Sequence, residues 1–421
     1  MSAIITGVTE LTQADPPGVE RTERADSPRT LGVILLSRIA LNLQFRVVYP
    51  FLPAISRGLG IPLEAAGLLL AIRSLVSMGS PLYGALADRR GRRPVMLAGL
   101  VALIAGALAV GMAPGLIMAL AAFALLGFSK AAYDPAAQAY LGDAVPYERR
   151  GRVLGIIELS WSLSWFIGVP VAGFLIAARG WRSVFWFIAG LGAVALLASW
   201  RLCRDSGRGP TNRPAPPPAA WTWRLPVWAT PTMFLVLAVS FLLILANELV
   251  FIVYGVWLET NFGLSVVAVG VASLVISLAE LLAETASAGT VDRLGKRRAV
   301  LGGLILHLLS YLLLPRLAGT LGGALTGVFL MFLTFEFTVV AIIPLVSELA
   351  PAARGTVLAC NLAVMALGRV IGALAGPRLW TAGGLTANAL LSAGLLGVAL
   401  LIWWLGVRER KADPLTFRPD T

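Results

Sequence analysis

The chain has 421 residues, 58% of them hydrophobic and 13% charged, and its 34 Lys and Arg against 22 Asp and Glu leave a net charge of +12. A mean hydropathy of +0.83 lies far outside the soluble range, where charged residues make up about a quarter of a chain. One histidine and two cysteines, Cys203 and Cys360, supply neither a histidine-built metal site nor a disulfide framework, so no metal or cofactor is expected.

Residues 1–29 are polar, with mixed charge and Asp15-Pro16-Pro17. They lack an apolar stretch before a cleavage site, and so read as a disordered tail and not a signal peptide. Twelve apolar runs follow, near 31–55, 64–87, 94–113, 115–141, 152–177, 183–200, 230–258, 265–290, 297–314, 319–347, 356–379 and 384–407. Runs of about 18–25 residues are long enough to cross ~30 Å of hydrocarbon as helices. The short alternating segments of an outer-membrane barrel are not seen. The expected fold is an all-α membrane protein of twelve transmembrane helices.

The basic residues cluster in alternate loops: Arg89, Arg90, Arg92 and Arg93; Arg149, Arg150 and Arg152; Arg201 to Arg224; Arg293 and Lys296 to Arg298; Arg354; and the C-terminal tail. The intervening loops carry only Arg57, Arg179, Arg182, Arg316 and Arg378. Positive loops face the cytoplasm, so both termini are expected inside and the helix count even. The net charge is therefore a topology signal, and a nucleic-acid partner is not expected.

Residues 201–229, rich in Pro, Gly and Arg, form the one long polar interruption and read as a cytoplasmic linker. The domains expected are a tail at 1–29, a six-helix bundle at 30–200, the linker at 201–229, a second six-helix bundle at 230–407 and a tail at 408–421. The halves repeat: Asn42 and Tyr49 return as Asn247 and Tyr254, Gly60 and Gly67 as Gly263 and Gly270, and Asp88 as Asp292. A duplicated six-helix unit is the signature of transporters with a site between pseudo-symmetric halves.

Ionisable groups inside spans cost about 2.5–3.5 kcal/mol on insertion scales and default to a functional or paired role. The N-terminal spans hold Arg38, Arg46, Arg73 and Lys130 with Asp134 and Glu158; the C-terminal spans hold Arg369 with Glu248, Glu280, Glu284 and Glu336. The third, sixth and twelfth runs hold none, and the ninth only His307, which assigns every third helix to the lipid side. Glu280 and Glu284 share a stripe with Ser273, Ser277 and Ser287. Two carboxylates one turn apart disfavour double ionisation, which makes either one the first choice for a proton carrier. Arg38, Asn42, Arg46 and Tyr49 recur along the first run, and Lys130 with Asp134 at i, i+4 are as readily a self-neutralising pair. Either Arg46 and Arg73 exchange partners with Glu248, Glu280 and Glu284, or these groups receive a substrate or a proton. Glu158, Trp161 and Trp165 suit a cationic or amphipathic organic molecule, although packing tryptophans read equally well.

The stretch from Gly84 to Val95, GALADRRGRRPV, resembles the signature loop of the major facilitator superfamily, with a degenerate twin from Asp292 to Arg298. Gly168 to Gly173, GVPVAG, is similar to the Gly/Pro motif of that family's drug and proton antiporters. The resemblance implies a cytoplasmic latch of Gly84, Asp88, Arg89, Gly91 and Arg92 with Asp143, Arg149 and Arg150, and a weaker one of Asp292, Arg297 and Glu348. It departs at Phe123, where proton-coupled members carry an arginine.

The function expected is secondary transport of a small organic solute across the inner membrane by alternating access, as proton-coupled efflux by a monomer in the bilayer. A lipid flippase of the same fold without proton coupling, and a non-transporting membrane sensor, are the alternatives. An enzyme is not expected, because the charges are spread over eight helices without a nucleophile–base motif or metal set.

Overall fold

A computed structural model describes residues 28–145, 147–203, 230–350 and 353–406; the expected tails and linker, apart from residues 28–29 and 201–203, and the side chains of 143–144, 147–152 and 154, lie outside the described residues. The helices are α1 (Pro28–Arg46), α2 (Val48–Leu59), α3 (Leu63–Ser77), α4 (Ser80–Arg90), α5 (Arg92–Met112), α6 (Leu116–Ala144) and α7 (Tyr147–Leu163). A π-helical turn, Ser164–Gly168, joins α7 to α8 (Val169–Arg179), and α9 (Arg182–Leu202) follows. Then come α10 (Pro231–Phe251), α11 (Tyr254–Phe262), α12 (Val266–Ala272), α13 (Leu274–Leu294), α14 (Lys296–Leu317), α15 (Leu321–Leu349) and α16 (Arg354–Gly406). No strand occurs among the described residues.

Among the described residues nine helical stretches are long and apolar enough to cross a membrane, and two bent pairs, α1–α2 at 58° and α3–α4 at 43°, each make one more if taken as one span. The 53 residues of α16 would run about 80 Å as one rod, against ~30 Å of hydrocarbon. Non-helical backbone at Gly383 and Gly384 divides it in two. Counted with that division, the candidate spans among the described residues are consistent with the twelve that the apolar runs predict.

An apolar core coexists with buried charge and with an apolar exterior. Arg38, Arg46, Arg73, Glu248 and Glu280 are buried, while Ile117, Trp186, Leu82 and Trp404 are exposed at 86%, 56%, 73% and 69%. Apolar exposure on this scale is tolerable against acyl chains and not against water.

The duplication is written into the backbone. Among the described residues six glycines take positive φ: Gly60 and Gly263 (65° and 63°), Gly91 and Gly295 (97° and 83°), and Gly180 and Gly384 (80° and 63°). They pair at separations of 203, 204 and 204 residues, so each half turns its corners at the same places with the one residue that has no Cβ penalty there.

Contacts group the chain into two compact units. Among the described residues, one comprises 28–48, 58–60 and 79–203, and the other 49–57, 61–78 and 230–406. In the first, α5 packs on α6 and α9, and α1 packs on α7 and α9. In the second, α10 packs along α16, α3 also reaches α16, and α15 packs on α13 and α14. Gly368, Gly372 and Gly376 give α16 a bare ridge against α10, where a Cβ would fall 2.8 Å from the Phe241 carbonyl oxygen, 2.6 Å from Glu248 Cβ and 2.9 Å from the Leu249 carbonyl oxygen. Asn388 and Ser392 tie the second arm of α16 to α10 by hydrogen bonds of 2.5 and 2.7 Å to the Leu249 and Ala246 carbonyls.

Candidate functional site

In the first unit the charges of α1, α6 and α7 converge. Arg38, 4% exposed, donates from Nη1 and Nη2 to the two carboxylate oxygens of Glu158 at 2.7 and 3.2 Å. Its Nε lies 3.7 Å from Asp134. Lys130 forms the i, i+4 pair with Asp134 at 2.7 Å and also donates to Asn42 Oδ1 at 2.5 Å. Asn42 Nδ2 donates onward to Ser160 Oγ at 3.1 Å. The Lys130–Asp134 pair is thus one link in a chain of six polar side chains and not a closed couple. Charge-assisted, bidentate bonds of this kind are the strong ones, and low dielectric strengthens them further.

Beside the chain stands an aromatic platform. The Arg46 guanidinium carbon lies 3.7 Å from the Trp161 ring centroid and 4.8 Å from that of Trp165, and Lys130 Nζ is 5.1 Å from Trp161. The two rings follow each other around the π-helical turn Ser164–Gly168. Such a turn adds a residue to the helix and commonly marks a functional position. Ser164, at its start, donates to the Ser160 carbonyl at 2.6 Å.

The second unit has its own buried carboxylate. Glu248 on α10 is 2% exposed, and its Oε2 accepts from Tyr49 OH at 3.2 Å. Arg73 on α3 and Arg369 on α16 both act on it electrostatically. Tyr49 stacks on Phe251 with centroids 3.9 Å apart and an interplanar angle of 11°. Farther along, Arg57 Nη2 meets Glu259 Oε1 at 2.8 Å. Tyr254 OH accepts from Ser273 Oγ at 3.4 Å, and Asn247, on the turn of Glu248, is buried with it. Glu280 is buried on α13, whereas Glu284, Glu336 and Arg369 are half-buried.

Of the loop residues, Asp88 is 65% exposed and 3.9 Å from Arg92; Arg92 also donates to the Ala139 carbonyl of α6. Gly91 makes the left-handed corner between α4 and α5, Gly84 faces Pro135, and Arg89 is exposed. The side chains of Asp143, Arg149 and Arg150 lie outside the described residues. In the second loop Lys296 contacts Glu348, Asp292 is exposed, and the Arg297 carbonyl accepts from Trp403 Nε1 at 3.3 Å.

Four features were not read from the sequence. Ser160 has no signal beyond its place one turn below Ser164. Phe251 is a common apolar residue until Tyr49 is seen upon it. Arg57 appears in the sequence as one of the sparse arginines of the outer loops, with nothing to point at Glu259. Lys296 sits beside Arg297, and a run of basic residues does not say which one turns to Glu348.

Many apolar spans in a chain with a repeated backbone pattern, with charged side chains buried in each unit, define a polytopic membrane protein of transporter type. The model of the Major Facilitator Superfamily matches residues 34–246 and 236–420, and the chain belongs to that family of transporters. It is 29% identical to the MFS-type transporter YwfA of Bacillus subtilis over 87% of this chain and 90% of that protein. It is 28% identical to the class C tetracycline resistance protein of Escherichia coli, over 68% of this chain and 72% of the other. Among solved structures it is similar to a D-xylose–proton symporter, with a TM-score of 0.75 at 16% identity, covering 91% of this chain and 98% of the other. That last likeness speaks to the fold.

Proposed function

We propose that this transporter exports a small cationic or amphipathic organic solute in exchange for protons, across a bacterial inner membrane with both its termini cytoplasmic. The observation that carries the reading is the guanidinium of Arg46 lying 3.7 Å over Trp161. A desolvated indole pair that holds a cation is a receptor for one, and a solute cation would take the place of the Arg46 head. The similarity to a protein named for tetracycline resistance supports outward movement of an organic compound. The distribution of basic loops supports the orientation.

In this reading the polar groups within the spans of both units, Arg38, Asn42, Arg46, Tyr49, Arg73, Lys130, Asp134, Glu158, Asn247, Glu248, Tyr254, Glu280, Glu284, Glu336 and Arg369, line or couple the pathway. Gly84, Asp88, Arg89, Gly91, Arg92, Asp143, Arg149, Arg150, Asp292, Arg297 and Glu348 act as breakable latches at the cytoplasmic rim. Exposed ion pairs suit a latch because each contributes only about 0–1 kcal/mol and none locks the protein.

The test is thermal stabilisation of the purified protein against drugs, amino acids, sugars and lipids at mildly acidic and mildly alkaline pH. Organic cations should stabilise the wild type, more strongly at one pH than the other. Stabilisation by lipids alone, equal at both, would contradict the proposal.

A further inference from the structure

Away from the helix ends, four carboxyl groups lie within the described spans of the second unit: Glu248, Glu280, Glu284 and Glu336. Their sequence spacing favours the Glu280–Glu284 couple as proton carrier, but the geometry separates Glu248 from the rest. It is as buried as Glu280, but its Oε2 accepts from Tyr49 OH at 3.2 Å and its Oε1 is a buried atom with no hydrogen-bond partner among the described residues. The side chain is also pinned, because Gly372 brings the α16 backbone so close that a Cβ there would stand 2.6 Å from Glu248 Cβ.

The position in the helices matters as much as the burial. Helix α10 ends at Phe251, and Ile252–Val253 interrupts it before α11. Helix α1 ends at Arg46, with Val47 interrupting it before α2. Glu248 stands one turn before the first break and Tyr49 just after the second. The groups that face the carboxyl from the packed elements are Tyr49 of α2, Arg73 of α3 and Arg369 of α16. From α14, Tyr311 also faces it, with the His307 ring 4.7 Å from that of Tyr311.

Resting on the proton-coupled reading above, we propose that Glu248 is the carboxyl that takes up the coupling proton, and that Tyr49 transmits its charge state to the α2–α3 hairpin. A proton adds to Oε1, the oxygen without a donor, and forms one O–H bond; no other covalent bond changes. The Tyr49 hydroxyl keeps its own proton but now donates to a neutral carboxylic acid. That bond is weaker than one to a carboxylate. Arg73 and Arg369 lose a counter-charge in the same step. The hairpin is then held to α10–α11 by the Tyr49–Phe251 stack and the Arg57–Glu259 pair. One of its contacts thus depends on the charge of Glu248 and two do not, which is the arrangement a proton-triggered release requires.

The experiment is an infrared pH titration of the purified protein in liposomes, without solute, following the C=O stretch of protonated carboxyl groups. The wild type, Glu248→Gln, Glu280→Gln, Glu284→Gln and Tyr49→Phe are compared. The titrating band should vanish in Glu248→Gln, persist in the other two Gln variants, and change both frequency and midpoint in Tyr49→Phe. A band that persists in Glu248→Gln, or that Tyr49→Phe leaves unmoved, overturns the proposal. Should Glu248→Gln fail to fold, the Tyr49→Phe comparison decides alone. Dye flux measured on the same liposomes separates the two claims: a band lost with Glu248 but no proton-driven flux sinks the transport reading and leaves the assignment standing.

Discussion

Arg38 grips Glu158 with both terminal nitrogens, at 2.7 and 3.2 Å, across 120 residues of sequence. The grip fixes α1 to α7 at the level of the aromatic platform and makes a planar, two-pronged donor a requirement at position 38. Lysine retains the charge but not the fork. Arg38→Lys should therefore lower stability by about 1.5–3 kcal/mol, the worth of hydrogen bonds to charged groups, read as a lower thermal unfolding midpoint. An unchanged midpoint would show that the pair does not hold these helices.

The glycine ridge of α16 gives a sharper steric prediction. Gly372→Ala places a methyl 2.6 Å from Glu248 Cβ, whereas Gly397→Ala meets nothing nearer than Leu308 Cδ1 at 3.9 Å. Overpacking costs about 1–3 kcal/mol, so the first variant should unfold at lower temperature or shift Glu248, and the second should behave as wild type. Equal behaviour of the two would contradict the close approach of α10 and α16.

Matched glycines at Gly91 and Gly295, with φ of 97° and 83°, should answer alike to substitution. Alanine at either forces an L-residue into a left-handed corner at about 1–2 kcal/mol, so Gly91→Ala and Gly295→Ala should lower the unfolding midpoint by similar amounts. The double variant should be additive, since each corner is local. A cost at only one position would break the backbone equivalence of the halves.

If Trp161 receives the solute cation, Trp161→Leu should weaken binding of a lipophilic cation by about 0.5–2 kcal/mol, roughly two- to thirtyfold in Kd. Trp404→Leu, at a lipid-facing position 69% exposed, should leave the Kd unchanged. Titration of a fluorescent cation against the purified variants reads both. Loss in neither variant would return Trp161 to plain packing.

The fold was legible because its determinants are long-wavelength: apolar runs of spanning length, basic loops in alternation, and an offset of about 204 residues. The site was legible as far as burial cost could point. The ionisable residues near the middle of the spans stood out, and those of the first unit, from Arg38 to Glu158, share one cluster with Trp161 and Trp165. What the sequence does not carry is partnership. Lys130 and Asp134 look self-sufficient at i, i+4, yet Asn42 and Arg38 join them. Glu280 and Glu284 look like the coupled carboxyls because they are neighbours in sequence. The environment of Glu248 is assembled from α2, α3, α14 and α16, and no local spacing announces that.

The most direct test of proton-coupled export is solute flux in proteoliposomes under an imposed pH gradient, with a lipophilic cationic dye loaded on one side. The account predicts dye movement against its own gradient, driven by protons moving the other way, abolished by a protonophore and lost in Glu248→Gln. Dye movement that runs only down its gradient and ignores the protonophore would contradict it.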